Sequence, residues 1–350
     1  ITQNFSFTAG LRYEHLVSSI DGRANISNGN EITVTPQSVS RNIVLAGVGA
    51  QYKLGNTNFY ANFSQAYRPV LFGDLVPPAT TDVIDPNLKD ANGFNADLGY
   101  RGTVFNHINF DVSAFYLNYN NRIGTIRRFL NEDPSLGTYQ YRTNLGQSVN
   151  MGVEAYVEFS LFKPFLSLMK GITSTKEIGD LTAFASLAFI NAEYMDFKTT
   201  TASGAAPNIT ITETNLQGKK VENAPSQIHN FGLTYEYKGF SASAQMRMNS
   251  KVFTDATNTV AASVDGVTGE IAAYSVYDLS LQYRFLEKFN VKAGINNLTD
   301  TKYATRRAGG YPGPGLIPGE GRTFYLSFGA KFITKPKNQP EPQDALIGEN

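Results

Sequence analysis

The sequence predicts an all-β protein, an antiparallel transmembrane β-barrel wall with about twelve strands present. Three observations predict it. Side chains alternate between apolar and polar along most of the chain. Short and long connections alternate between successive runs. No stretch approaches the ~18 to 20 consecutive apolar residues of a membrane helix, although aromatic residues are plentiful.

The 350 residues are 41% hydrophobic and 12% aromatic, with 24 Phe, 19 Tyr and no Trp, and the formal charge is zero. Balanced charge without a long basic run gives no electrostatic footprint for nucleic acid. The absence of cysteine excludes disulfides and thiolate metal sites, and suits an extracytoplasmic protein. The opening ITQNFSFTAGLRYEH has no basic segment followed by an apolar core, so it predicts no signal peptide and reads as the middle of something.

Alternation begins at once. Phe5, Phe7, Ala9, Leu11 and Tyr13 oppose Ser6, Thr8, Gly10, Arg12 and Glu14. Phe94, Ala96, Leu98 and Tyr100 then oppose Asn95, Asp97, Gly99 and Arg101. Phe231 to Tyr237, Phe240 to Met248 and Tyr277 to Tyr283 repeat the pattern, and Phe324, Leu326, Phe328, Ala330 and Phe332 end it. The runs are roughly 10 to 16 residues each, long for a soluble sheet and suited to a tilted barrel strand.

Short turns are expected at 54–58, 101–107, 237–240 and 286–289, and long polar connections near 20–40, 69–92, 122–142, 198–222, 254–272 and 305–322. Short on one rim and long on the other is the asymmetry of an outer-membrane barrel. Residues 160–180 break the rule, and PFLSLMK within them reads as a small amphipathic insertion at the inner rim.

A soluble β-protein is the bland alternative. Its apolar face would need a very large common core, whereas a barrel with apolar side chains in lipid and charged ones in a wet lumen needs none. Tyr13, Tyr52, Tyr67, Tyr100, Tyr237 and Tyr283 at strand ends suit an interfacial girdle.

The pair GINNLTDTKYATRR and GEGRTFYLSFGAKF resembles the last two strands of TonB-dependent outer-membrane receptors. FYANFSQAYRPVLFGDL, GFNADLGYRG, YLNYNNRIGTI, NLGQSVNMGVEAYVEF, FINAEY, NAPSQIHNFGLTYEY and FTDATNTVAASVDGVTGEI are similar, in order and spacing, to the ferric-citrate (iron dicitrate) receptors. The resemblance runs from about residue 5 to Phe332. It implies a barrel of about 22 strands around a plug, of which residues 1–332 are the C-terminal part, with the plug and the TonB-engaging segment absent. It also implies a bacterial outer-membrane location, lipid and lipopolysaccharide as neighbours, and import of an anionic ferric chelate as substrate. No resident cofactor is expected. Loops 69–92 and 122–142 match the pair that closes over ligand in that family. Residues 333–350, polar and proline-containing beyond the expected terminal aromatic, predict a disordered tail.

Citrate carboxylates suit guanidinium forks. The ligand-binding candidates are therefore Arg68, Arg122, Arg127, Arg128 and Arg142 near the two closing loops, with Arg306 and Arg307 in the last one. For each, a solvated charge or a lipopolysaccharide phosphate partner is the competing role. Little carries over residue by residue. Arg127 stands where ferric-citrate receptors place a ligand-contacting glutamine, and Pro312 falls near their final-loop asparagine. Another siderophore or nutrient remains a possible cargo.

No metal site is expected. His15, His107 and His229 are scattered, and the acidic run 82–90 lacks regular oxygen-ligand spacing, so it reads as a solvated loop. No enzyme is expected either. Ser167 and Lys170 form an S-x-x-K without partner motifs, and Gly47-Val-Gly49 lacks a βαβ setting. A small stand-alone barrel, pore or hydrolase, is the remaining rival.

Overall fold

The computed structural model describes residues 3–27, 30–75, 83–168, 174–286, 288–310 and 313–332. Twelve long strands pair antiparallel, each with the next in chain order. They are β1 Phe5–Ser27, β2 Asn30–Leu54, β3 Thr57–Arg68, β4 Ala91–Val104, β5 Ile108–Phe129, β6 Thr138–Ser160, β7 Asp180–Ser203, β8 Gln227–Tyr237, β9 Phe240–Asn249, β10 Tyr274–Phe285, β11 Phe289–Asn296 and β12 Thr323–Ala330. Among the described residues β1 and β12 have one long partner each, so the wall is an open sheet.

Register keeps like faces together. Phe59 faces Tyr100, Leu98 faces Ala114, Ala244 faces Leu279 and Leu281 faces Ala293, which makes one side of the sheet continuously apolar. Phe324, Leu326 and Phe328 are 71%, 78% and 64% exposed. That row is an outer surface, and no dry core covers it. On the opposite, polar face, bare glycines admit rings from facing strands. A Cβ at Gly99 would lie 2.2 Å from the Tyr60 ring and one at Gly294 would lie 2.5 Å from Tyr325, so neither position accepts a side chain unless the ring moves.

The expected short turns stand at one rim, between β2 and β3, β4 and β5, β8 and β9, and β10 and β11. The irregular link between β6 and β7 holds a 3-10 turn at Lys163–Leu168 and one α-turn at Thr175–Ile178. Part of the PFLSLMK insertion, including Lys170 of the S-x-x-K, lies outside the described residues, as do Pro312 and the 333–350 tail.

Strand lengths depart from expectation. β1, β2, β5, β6 and β7 have 23, 25, 22, 23 and 24 residues, because their pairing continues past the long-connection rim. Beyond the apolar band there is no lipid to demand alternation. The pattern fades there while Thr, Ile and Tyr still favour extended pairing. The 122–142 connection is thus a hairpin tip, turning at 130–137. The final connection, read as a long polar one, holds another hairpin, Ala304–Ala308 against Gly315–Pro318.

Buried side chains gather at this same rim. One group includes Val70, Leu75, Ala91 and Tyr141, and another is Ala192, Tyr194, Phe197, Leu216 and Val221. Packing therefore tightens where a site would be formed.

Candidate functional site

Six of the seven candidate arginines already have work inside the protein. After Arg68, proline ends β3 and the chain makes one helical turn, Phe72–Leu75. Asp74 is 3% exposed and accepts from the Leu71 N–H at 2.9 Å. Arg68 reaches its Oδ2 at 3.0 Å, and Arg142 donates to its Oδ1. Burial pushes the Asp74 carboxyl up, but the Leu71 amide and the two guanidiniums outweigh it and hold the group below its usual range.

The rest of this loop is stitched to β6. Val83–Ile84 pairs parallel with Tyr141–Arg142, and the Asp85 N–H donates to the Arg142 carbonyl at 2.9 Å. Asp85 accepts from the Thr143 hydroxyl at 2.5 Å and the Asn87 amide at 2.8 Å. Asp90 accepts from Arg41 Nε at 2.7 Å, the Tyr67 hydroxyl at 2.5 Å and the Val70 amide at 2.8 Å. Asp85 and Asp90 of the acidic run are therefore partnered, where a solvated loop was expected, and Asp82 lies outside the described residues. Tyr67 belongs to this network. Each Asp ends up where a backbone amide and a distant hydroxyl or guanidinium converge.

At the β5–β6 hairpin an irregularity around Asn121, whose φ is 54°, shifts register between Tyr119 and Arg122. Arg122 then donates to Ser148 Oγ at 3.1 Å and approaches Glu222 at 3.5 Å, with the Tyr119 and Tyr194 rings beside it. Tyr194 in turn donates to Glu222. Arg127 donates its backbone N–H to Thr200 Oγ1 at 2.6 Å and its Nη1 to Thr138 Oγ1 at 3.3 Å. The Arg128 guanidinium lies 3.8 Å from the Tyr141 ring centre.

In the last hairpin, Arg307 donates to the carbonyls of Gly266, Gly269 and Glu270 at 2.8, 3.3 and 3.3 Å, clamping residues 254–272. Arg306 is exposed, and among the described residues its side chain has no hydrogen bond or ion pair.

The seven thus do not form one cluster. Arg68 and Arg142 meet at Asp74, Arg122 pairs with Glu222, and Arg307 is spent on carbonyls. Arg127, Arg128 and Arg306 have no carboxylate ion pair among the described residues and keep donors for an anion. Reading the sequence alone missed Asp74, Asp85, Asp90, Tyr141, Tyr194 and Glu222. Asp74 and Asp85 had local signals, carboxylates accepting from amides three residues before and two residues after them.

The histidines stay apart. His15 contacts Asn42 at 2.8 Å, His107 the Phe105 carbonyl at 2.5 Å, and the His229 ring lies 5.0 Å from Phe189.

Comparison with solved structures returns large barrels. The ferric citrate transporter FecA in its unliganded form superposes with a TM-score of 0.67 at 21% identity, covering 94% of this chain and 43% of that one. The copper transporter OprC gives 0.67 at 17% identity, covering 95% and 47%. The ferric-catecholate import receptor Fiu from E. coli K12 gives 0.66 at 16% identity, covering 95% and 43%. This chain spans less than half the length of each. Residues 1–298 match the family described as TonB dependent receptor-like, beta-barrel. The chain belongs to that TonB-dependent receptor β-barrel family.

Proposed function

We propose that the chain is the C-terminal part of a bacterial outer-membrane importer that takes up an anionic ferric chelate, ferric citrate foremost. In this reading the apolar face meets lipid, the long-connection rim faces outside and the short turns face the periplasm. A plug and an N-terminal segment elsewhere in the protein couple transport to TonB. The open sheet edges suit a wall that continues in further strands.

The observation that carries the ligand class is the set of arginines left without a carboxylate ion pair, among the described residues, at the long-connection rim. The Arg128 guanidinium lies over Tyr141, and Arg127, the next residue of the same strand, is turned to the opposite face toward Thr138, so each guanidinium is presented by a strand instead of a floppy loop. A citrate complex offers several carboxylate oxygens to a guanidinium held in this way. FecA supports ferric citrate through fold likeness only, and OprC has an equal TM-score with a different metal in its name.

The test is equilibrium binding of ferric citrate to the full-length receptor and to its Arg127→Ala/Arg128→Ala variant. A loss of several-fold or more is expected. Unchanged affinity removes the pair from the site, and tighter binding of a catecholate or hydroxamate chelate than of ferric citrate replaces the proposed cargo.

A further inference from the structure

The apolar face is interrupted near the long-connection rim. Where β8, β9 and β10 reach the long-connection rim, beside the turn that follows β11, a depression of about 850 Å³ is lined by Lys251, Lys302, His229, Ser250, Thr299 and Tyr277 among others. None of its lining residues is acidic. Lys251 and Lys302 each donate to one carboxylate, Glu270 at 2.9 Å and Asp300 at 3.0 Å, and both of those carboxylates lie outside the lining. An ammonium has three protons, so each lysine retains donors for the cup. Serine and threonine hydroxyls supply more.

A second, apolar groove of about 410 Å³ adjoins it and shares Tyr277. Ala183, Ala185 and Ala244 form its shallow floor, between Phe159, Phe231 and Leu233. Register makes the two continuous. His229, Met248 and Ser275 stand in one row across β8, β9 and β10, and Phe231, Met246 and Tyr277 stand in the row two residues further from the rim. Two residues of strand separate them, about 7 Å. A cationic, hydroxyl-rich cup therefore sits directly above an acyl-sized trough, with a tyrosine at the junction where an amphipathic ring belongs.

We propose that this surface holds one phosphorylated lipid of the outer leaflet, its phosphate in the Lys251–Lys302 cup and an acyl chain in the Ala183–Ala185–Ala244 groove. The inference rests on the reading that the apolar face meets lipid. A free anion has no use for the groove, and a neutral lipid has none for the lysines. The two halves together select an anionic amphiphile.

Native mass spectrometry of the full-length receptor in mild detergent tests this, with three probes: lipid A carrying two phosphates, its dephosphorylated counterpart, and inorganic phosphate. Wild type should retain the phosphorylated lipid with at least tenfold higher occupancy than the dephosphorylated one, and inorganic phosphate should not displace it. Lys251→Gln/Lys302→Gln should lower occupancy at least tenfold, and Ala244→Trp, which fills the trough, should lower it several-fold. Lys198→Gln, on a distant hairpin, should leave it unchanged. If the double variant assembles poorly, the exposed Lys302→Gln alone should still lower occupancy several-fold. Equal retention by the lysine variants, or displacement by phosphate, overturns the proposal. Heat-modifiable migration of the wild type from the membrane fraction separates the two failures: its absence sinks the barrel reading, and its presence without selective lipid retention sinks only this site.

Discussion

Arg142 donates to Asp74 across 68 positions of chain, and Arg68 binds the same carboxylate at 3.0 Å. A strand end, a one-turn helix and a neighbouring hairpin are thereby fastened through one carboxylate that is only 3% exposed. Two of the candidate ligand contacts thus also form a staple between the two loops expected to close over cargo.

Removing the shared partner leaves two guanidiniums without their carboxylate. Both arginines are partly exposed, so the cost is set by amide and carboxylate bonds more than by full charge burial. Asp74→Ala is expected to weaken the 69–90 region by about 2 to 3 kcal/mol. Hydrogen exchange at Leu71, Asp85 and Lys89 reads this out. Unaltered protection there would mean the staple carries no weight.

The same carboxylate sets an acid limit. Its folded value is depressed below the ordinary 3.8, so its contribution is complete above that value and is lost as pH falls through the folded one. Loop protection by hydrogen exchange should be flat from about pH 8 to 5 once intrinsic rates are removed, and should collapse only below about pH 4. Loosening near neutrality would contradict the sign of the shift.

Arg128 contributes shape as well as charge. A guanidinium 3.8 Å above the Tyr141 ring is stacked, and an ammonium keeps the charge without the planar fork. In the full-length receptor Arg128→Lys should weaken ferric citrate binding by several-fold, most of the loss seen with Arg128→Ala. Recovery of wild-type affinity by lysine would reduce the role to charge alone.

Leu279 stands mid-wall on the apolar face, between Ala244 and Ile295. Leu279→Arg should cost ~2 to 4 kcal/mol and lower the yield of assembled receptor in membranes. Normal yield and unfolding midpoint for this variant would argue against the assignment of faces.

Asn297 closes the end of β11. It is 2% exposed with φ of 50°, its amide donates to Asp278 Oδ1 at 2.8 Å, and its side chain bonds Thr301 N, Thr301 O and Glu320 O. Asn297→Ala loses those side-chain bonds in a backbone conformation alanine disfavours, an expected cost of about 2 to 4 kcal/mol in denaturant unfolding. Asn297→Gly, which accepts the φ, should recover part of it. Equal losses would mean the conformation contributes nothing.

Local pattern carried most of the fold. Phe324 to Phe332 and Leu279 to Tyr283 declare their faces by alternation, because each strand residue points opposite to its neighbour whatever the remainder of the chain does. The NNLTD run, legible as a motif, turns out to work as the Asn297 staple. Where apolar demand ended, the pattern went quiet. The extra turns of β5 and β6 past Asn121 were invisible for that reason.

Sequence by itself determined a two-faced strand wall, its order and which rim carries the long connections, since those follow from side-chain period and chain spacing. Tertiary structure alone decided which arginines remain available. Neutralising a guanidinium depends on distance in space. Asp74 reaches Arg142, and Glu222 reaches Arg122, from positions that no local period connects. Arg127, Arg128 and Arg306 have no carboxylate at ion-pair distance among the described residues and keep donors for an outside partner, with Asp85 acting on Arg128 only from further off.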